Sequence, residues 1–352
     1  MNSTIPAQVS IVISCHSDRG WDTLVGAVAS ALAQQPAQAD VVVVVDHNPR
    51  LFERARRHFS GVTVLENGFE QGASGTRNTG AWRTTTPLVA FLDGDITAGP
   101  QWLAQLVAPF DDPSVVGTGG AIAAAWERSR PRWMPDELLW AVGASYSGMP
   151  TTTAPVRNVW SASMAVRREV FAAVGGFREG FGKIGSRNRP EDTDLCLRMS
   201  KDQGRWMYVP GAVVEHDVPA ERSTFRFLLR RCYAEGRGKV QMARLLHDSS
   251  SLGAERTYVT RTLPGAMLRG LSGAIHVRNA GQPARTSHAA RAATVVAAVA
   301  AAALGATVET LGTGWRERRA PIAGPTGAPD PDDPGTSGFG GFHRARATSP
   351  RT

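Results

Sequence analysis

Leu88-Val89-Ala90-Phe91-Leu92-Asp93-Gly94-Asp95 is an unbroken apolar run that ends on two carboxylates with a glycine between them. A short run of this kind, closed by a turn signal, is the pattern of a strand buried on both faces, as parallel sheets require. Its last residues therefore belong at the carboxyl edge of a sheet, where open α/β folds bind their ligands. In extended backbone, residues two apart project to the same side, so Asp93 and Asp95 can meet on one cation, and Gly94 adds no bulk between them. A divalent metal held against a diphosphate is the simplest use of such a pair. A polar turn that merely closes the strand is the competing reading.

Working outward, the same alternation repeats upstream. Val9 to Ser14 reads as a buried strand, with a helix from Trp21 to about Gln34, a second strand over Val41 to Val45, a basic helix over Leu51 to Phe59 and a third strand over Val62 to Leu65. Gly72 to Gly80 reads as a small-residue loop that opens a helix. Regular strand and helix alternation predicts a parallel sheet covered on both faces. Downstream of Gly117 the pattern loosens through a Trp-, Pro- and Arg-rich stretch, and Asn158 to Val166 reads as the next strand. A short helix follows over Arg167 to Val174 and ends at Gly175-Gly176-Phe177. A basic loop through Lys183, Arg187 and Arg189 then leads to the acidic run that begins at Glu191, and the last strand reads as Trp206 to Val209, ahead of Val213 to His216.

Beyond residue 220 the chain becomes helical and basic, with Phe225, Leu228, Leu229, Cys232 and Tyr233 on one face and Arg226, Arg230 and Arg231 beside them. Ala292 to Ala306 is uncharged but falls short of the roughly 20 residues that a membrane span needs. Residues 312–352, dominated by Pro, Gly and Arg, read as a disordered tail. The expected division is thus a catalytic α/β domain over 1–220, a basic amphipathic helical region over 221–311, and the tail. Within 352 residues carrying a net charge of +8, anionic partners are expected, among them phosphorylated small molecules, an acidic membrane or nucleic acid. The three scattered cysteines form neither a disulfide framework nor a zinc motif, and the N-terminus has no secretory signal, so a cytoplasmic location is expected.

Further polar residues fall at strand and helix ends. Asp46 closes a strand and can accept a hydrogen bond from a base ring, or form a turn before Pro49. Arg77 and Asn78, read as standing at a helix N-terminus, suit a phosphate or a nucleoside, or are solvated. Glu191 and Asp192 start a helix, either as capping acids or with Asp192 kept ionised as a general base. His216 follows a strand and can supply an imidazole to a metal held by Asp95.

Taken in order, the first strand, Asp46, the Gly72 to Gly80 loop with Arg77-Asn78, Asp93-Gly94-Asp95, Gly175-Gly176-Phe177, Glu191-Asp192 and His216 resemble family 2 glycosyltransferases of GT-A fold over about Val9 to His216. Asp46 to Pro49, Pro150 to Asn158 and Thr260 to Pro264 give a narrower likeness to actinobacterial enzymes that transfer glucose or glucuronic acid to polyprenyl phosphate-linked acceptors. The resemblance implies an α/β fold of mixed, mostly parallel sheet and an inverting transfer from a nucleotide-sugar, UDP-linked, to a glycan or lipid-linked hydroxyl, assisted by Mn2+ or Mg2+. It implies Asp192 as catalytic base supported by Glu191, and a donor site formed by Cys15, His16, Asp46, Arg77, Asn78, Asp93, Gly94 and Asp95. Asp95, Asp93 and His216 would surround the metal. Many relatives carry an acid where this chain has Gly94. Peripheral contact with the inner face of the plasma membrane is expected and nucleic acid is not. Two other readings compete. A sugar-phosphate nucleotidyltransferase would need a glycine-rich basic loop where Cys15-His16-Ser17-Asp18 stands, and a nucleic-acid-binding module rests on the positive balance alone.

Overall fold

The computed structural model describes residues 9–34, 39–184, 187–246, 262–265, 268 and 282–317. The tail past residue 317, Thr260-Arg261 and the side chains of Lys183, Arg187 and Arg189 lie outside the described residues. Met1–Leu311 form one compact unit and Gly312–Thr352 a second.

The elements run β1 (Val9–Cys15), α1 (Trp21–Leu32), β2 (Asp40–Val45), α2 (Pro49–His58), β3 (Thr63–Glu66), α3 (Ala73–Arg83), β4 (Leu88–Asp93), β5 (Ile96–Ala98) and α4 (Trp102–Val107). They continue through β6 (Val115–Trp126), β7 (Ala154–Val156), β8 (Ser163–Arg167), α5 (Arg168–Ala173), β9 (Gly182–Ile184), β10 (Arg187–Arg189), α6 (Glu191–Met199), β11 (Arg205–Val218), α7 (Phe225–Leu246) and α8 (Gln282–Glu317). One sheet has the order β3-β2-β1-β4-β8-β6-β11-β5, with β7 also on β11. The first four strands are parallel. β8 then runs antiparallel to both β4 and β6, β6 and β11 are parallel, and β5 and β7 oppose β11. The mixed, mostly parallel sheet that the resemblance implies is thus present, with its uninterrupted parallel part in β3-β2-β1-β4. Past β4 the regular crossover helices that parallel pairing requires give way to turns and short helices.

Alternate residues of the central strands feed opposite cores. Ile11, Ile13, Val43, Val45 and Leu92 pack with α1 and Trp102 on one face, while Val12, Val42, Val44 and Phe91 pack with Phe171, Phe177 and Leu195 on the other. A third cluster, including Met134, Leu138, Val218, Leu228, Cys232 and Val295, joins α7 and α8 to the irregular segment after β6.

Several expected elements shift. β6 is a full strand where the sequence pattern loosens, because its Gly117, Gly119 and Gly120 leave room for the Trp206 ring, the Val159 side chain and the Ala212 backbone, positions where a Cβ would collide. β11 is one long strand, not a short strand with a separate tail. The chain absorbs the residues between the two expected pieces as a register shift between Val209 and Val213. Most of the Gly72 to Gly80 stretch is helix, so Arg77 and Asn78 stand in the second turn of α3 and not at its N-terminus. The residues from Asn158 up to Ser161 are not strand, which begins at Ser163. Finally, the apolar part of α8 runs over His288–Gly312, 25 residues, so by length and composition it could cross a membrane, in contrast to the short stretch expected; a third of its best window is buried.

Candidate functional site

β4 delivers Asp93 at its end, and the next two residues form the tight turn into β5 that carries Asp95. Pairing of Ile96 with His216 across β5 and β11 brings the histidine to that turn. The Asp217 N-H also donates to the Asp95 carbonyl at 3.3 Å. Asp95 Oδ2 lies 3.4 Å from His216 Nε2, with the ring buried and the carboxylate half exposed. Arg222 Nη1 donates to the same Nε2 at 3.2 Å. A guanidinium has no lone pair, so in this contact Nε2 accepts and its lone pair is directed at Arg222. Burial pushes the Asp95 carboxyl up, but the His216 ring and the Arg222 charge outweigh it and hold the group below the ordinary carboxylate range. Gly143, at φ 80°, lies flat against the imidazole, where a Cβ would come within 2.9 Å of Cε1.

Asp93 turns a different way. Its Oδ1 accepts from Arg77 Nη2 at 2.7 Å and from Ser14 Oγ at 3.2 Å. Among the described residues, no three His, Cys, Asp or Glu side chains gather as a metal-binding group. Asp95 and His216 thus stand together at the turn, while Asp93 Oδ1 is held by Arg77 and Ser14. Gly94 donates its N-H to the Ser14 carbonyl at 3.0 Å, and a Cβ there would stand 3.0 Å from that same oxygen. The glycine thus eases the close approach of the turn to β1, where a side chain would need its neighbours to give by a few tenths of an ångström.

Arg77 is the hub of a second cluster. Its guanidinium is buried, bonded to Asp93 on one side and 3.5 Å from Glu191 Oε1 on the other. Burial works against this charge, but Asp93, Asp192 and Glu191 more than offset it and hold Arg77 firmly protonated. Three acids then face one cation. Burial together with the adjacent Asp192 pushes Glu191 up to about 8, against the pull of Arg77. Asp192 is also raised by burial, opposed by Arg77 and by a hydrogen bond from Ser161. Its Oδ1 is buried and has no hydrogen-bond partner among the described residues. Asp194, the next acid in the run, is bound to Arg178 and Arg198 and belongs to the packing of α6.

At the other end of the edge, Asp46 is buried and accepts from the Asn67 side chain at 2.8 Å and from the Gly72 N-H at 2.9 Å, with His47 Nδ1 also 2.9 Å away. His47 itself takes φ 46°, a left-handed conformation that is uncommon outside glycine. Asn48, not Asp46, caps α2 through the Leu51 N-H. Cys15 at the end of β1 is a neutral thiol, pushed up to about 12 by burial and by Asp46, and His16 is exposed beside it. Asn78 has both ends of its amide engaged, donating to the Phe177 carbonyl at 2.8 Å and accepting from the Phe177 N-H at 2.9 Å. It clamps the Gly175-Gly176-Phe177 turn and does not face a ligand. Nothing in the sequence pattern signals Asn67 or Ser161. Only the position of Arg222 six residues past His216 hints at its role.

The fold is the GT-A fold, shared with a mannosyltransferase from Pyrobaculum calidifontis solved with GDP-Man and Mn2+ (TM-score 0.52, 17% identity, 83% of this chain and 86% of that one). The family model "Glycosyl transferase family 2" matches residues 10–175. A Haloferax volcanii glucosyl-dolichyl phosphate glucuronosyltransferase is 30% identical over 249 residues, covering 69% of this chain and 80% of the relative. A pre-mycofactocin glycosyltransferase of Mycobacterium tuberculosis is 32% identical over 157 residues, which are 44% of this chain and only 32% of the relative. The chain belongs to glycosyl transferase family 2 and is a glycosyltransferase.

Proposed function

We propose that the chain is an inverting, metal-assisted transferase that moves a sugar from a nucleoside diphosphate, uridine-linked, to a hydroxyl of a lipid-linked or glycan acceptor. The observation that carries this is the pairing of Asp95 with His216 just past Asp93, which Arg77 ties to Glu191 and Asp192. Counter-ion donors and a candidate base thus converge from β4, β11 and α6 on one edge. One imidazole nitrogen and one carboxylate oxygen, completed by diphosphate oxygens, suit Mn2+ better than Mg2+, which prefers oxygen alone. When bound, such an ion neutralises charge on the departing diphosphate.

The chain's own residues do the rest. Asp192 Oδ1, raised and free of partners, takes the proton of the acceptor hydroxyl as its oxygen bonds to the anomeric carbon, and the bond from that carbon to the diphosphate breaks on the opposite face. Glu191, largely protonated near neutral pH, leaves Arg77 free to hold Asp93, so that Asp93 keeps the end of β4 fixed beside the donor ribose. Asp46 and the backbone at His47 and Gly72 form the base end, with Cys15 and His16 at its mouth. A lipid-linked acceptor is favoured by the dolichyl phosphate acceptor class named for the Haloferax relative. Residues 1–220 act as the catalytic part and 221–311 as its membrane-facing part, a division that suits an enzyme working in the cytoplasm against the membrane's inner face.

A thermal-shift screen of UDP-glucose, UDP-glucuronic acid and GDP-mannose with and without Mn2+ tests the reading, since a ligand that binds only the native state raises Tm. We expect stabilisation by a UDP-sugar that needs Mn2+ and vanishes in Asp95→Ala together with sugar transfer. Normal, Mn2+-dependent transfer by Asp95→Ala would overturn the metal assignment. The nucleotidyltransferase and nucleic-acid readings have no support in this site.

A further inference from the structure

We infer that the outward face of α8, with the adjoining groove of α7, is a docking surface for an anionic lipid bilayer. The inference rests on the lipid-linked acceptor reading and adds the surface that would meet the membrane, which the sequence assigned to the basic helix alone. From Ala289 to Leu311, the exposed positions of α8 include Val296, Val299, Leu304, Val308 and Leu311, and none of them is charged. Over 22 intervals at 1.5 Å this uncharged stripe is about 33 Å long. An exposed helix face of that length is normally studded with charge, because apolar patches of this extent mark interaction sites.

The opposite side of α8 is already committed. Ala292, Val295 and Ala298 are buried against the catalytic unit's own Met134 and Leu138 and against Leu228 of α7, and a Cβ on Gly236 or Gly305 would collide with the facing helix backbone. A helix held that tightly along one side lies on the protein and cannot pass alone through a bilayer, so its free stripe is suited to the interface plane. The charge supports a lipid partner over a second protein. Beside the stripe a groove of about 510 Å³ opens between α7 and α8, floored by Phe225, Leu229, Tyr233 and Leu304 and rimmed by the exposed Arg226 and Arg230. Apolar floor with cationic rim matches acyl chain below and phosphate above. The groove also begins close to the chemistry. Phe225 follows Arg222 by three residues, at most about 11 Å of chain, and Arg222 bonds His216. A bilayer on this face would bring a membrane-embedded acceptor to the side of the site where the donor diphosphate is expected.

Flotation of the full-length chain with vesicles of phosphatidylcholine, alone or mixed with phosphatidylglycerol, tests this. We expect the protein to float with the anionic vesicles and to be released by salt. The pair Arg226→Gln and Arg230→Gln should lower partition roughly thirtyfold, and Val296→Glu with Leu304→Glu should abolish flotation, while all four substitutions leave Tm and UDP-sugar binding in the thermal-shift assay unchanged. A protein that stays unbound with anionic vesicles at low salt overturns the inference. So does a chain that sediments as a dimer and becomes monomeric in Leu304→Glu, since a second copy would then be what covers the stripe. Failure of nucleotide-sugar binding, by contrast, would sink the transferase reading and leave the flotation result standing.

Discussion

Replacing Glu191 with Gln should change how the stability of this enzyme depends on pH, and it probes the three-acid, one-cation cluster directly. The folded protein holds Glu191 at about 8 against an ordinary 4.5, so between those values the native state binds a proton that the unfolded chain has released. Stability is then full below about pH 4.5 and declines as pH rises through the folded value. The span, at about 1.36 kcal/mol per pH unit, sets a ceiling of about 5 kcal/mol on this loss. The real loss is smaller, because ionised Glu191 still faces Arg77 Nη1 at 3.5 Å and because Asp192 can take up part of the proton. A loss of about 2–3 kcal/mol is the working figure. The amide of Glu191→Gln keeps the shape and an oxygen for Arg77 but cannot ionise. Urea unfolding of both proteins at a series of pH values from about 5 to about 9 reads the difference. The wild type should lose stability across the window and Glu191→Gln should lose much less, so that the variant becomes the more stable of the two at the alkaline end. Parallel curves would refute the burial of a protonated Glu191 and, with it, the account of how Arg77 is shared.

Two other substitutions test the turn and its counter-ion. Gly94→Asp adds a third acid to the turn, but its Cβ would stand 3.0 Å from the Ser14 carbonyl and 3.3 Å from Cys15 Cβ. We expect about 1–3 kcal/mol of destabilisation in urea unfolding and no tighter Mn2+ binding by electron paramagnetic resonance; undiminished stability with stronger binding would show that the turn has slack. In Arg222→Gln the cation that now donates to His216 Nε2 is gone, so Mn2+ affinity measured without nucleotide should rise about fivefold to tenfold. Weaker binding in this variant would mean that Arg222 supports the ion and does not compete with it.

What was legible in the sequence follows from the range of the interactions involved. β2 and β4 could be read because a strand buried on both faces must be apolar at every position, a local demand that Val41 to Val45 and Leu88 to Leu92 state outright. β6 could not, since its glycines are chosen by Trp206 and Val159, partners distant in sequence, and a residue selected for what it lacks carries no strand propensity. The same logic divides the site. Asp95 and Asp192 stand at element ends, where polar residues are conspicuous against an apolar background, while His216, read as following a strand, lies within β11 and pairs with Ile96 and Ala124. Arg77 was legible as a cation near a helix start, but its task was not. It answers to Asp93 sixteen positions on and to Glu191 far beyond that, at the start of α6, and only the folded sheet brings those acids together. Its burial among acids is a task that its place in the sequence, which suits a phosphate or a nucleoside, does not announce. Its guanidinium is bonded to Asp93 and packed against Glu191 and Asp192, so in the proposed reading the diphosphate's charge falls to the Asp95 and His216 side, where Arg222 also stands.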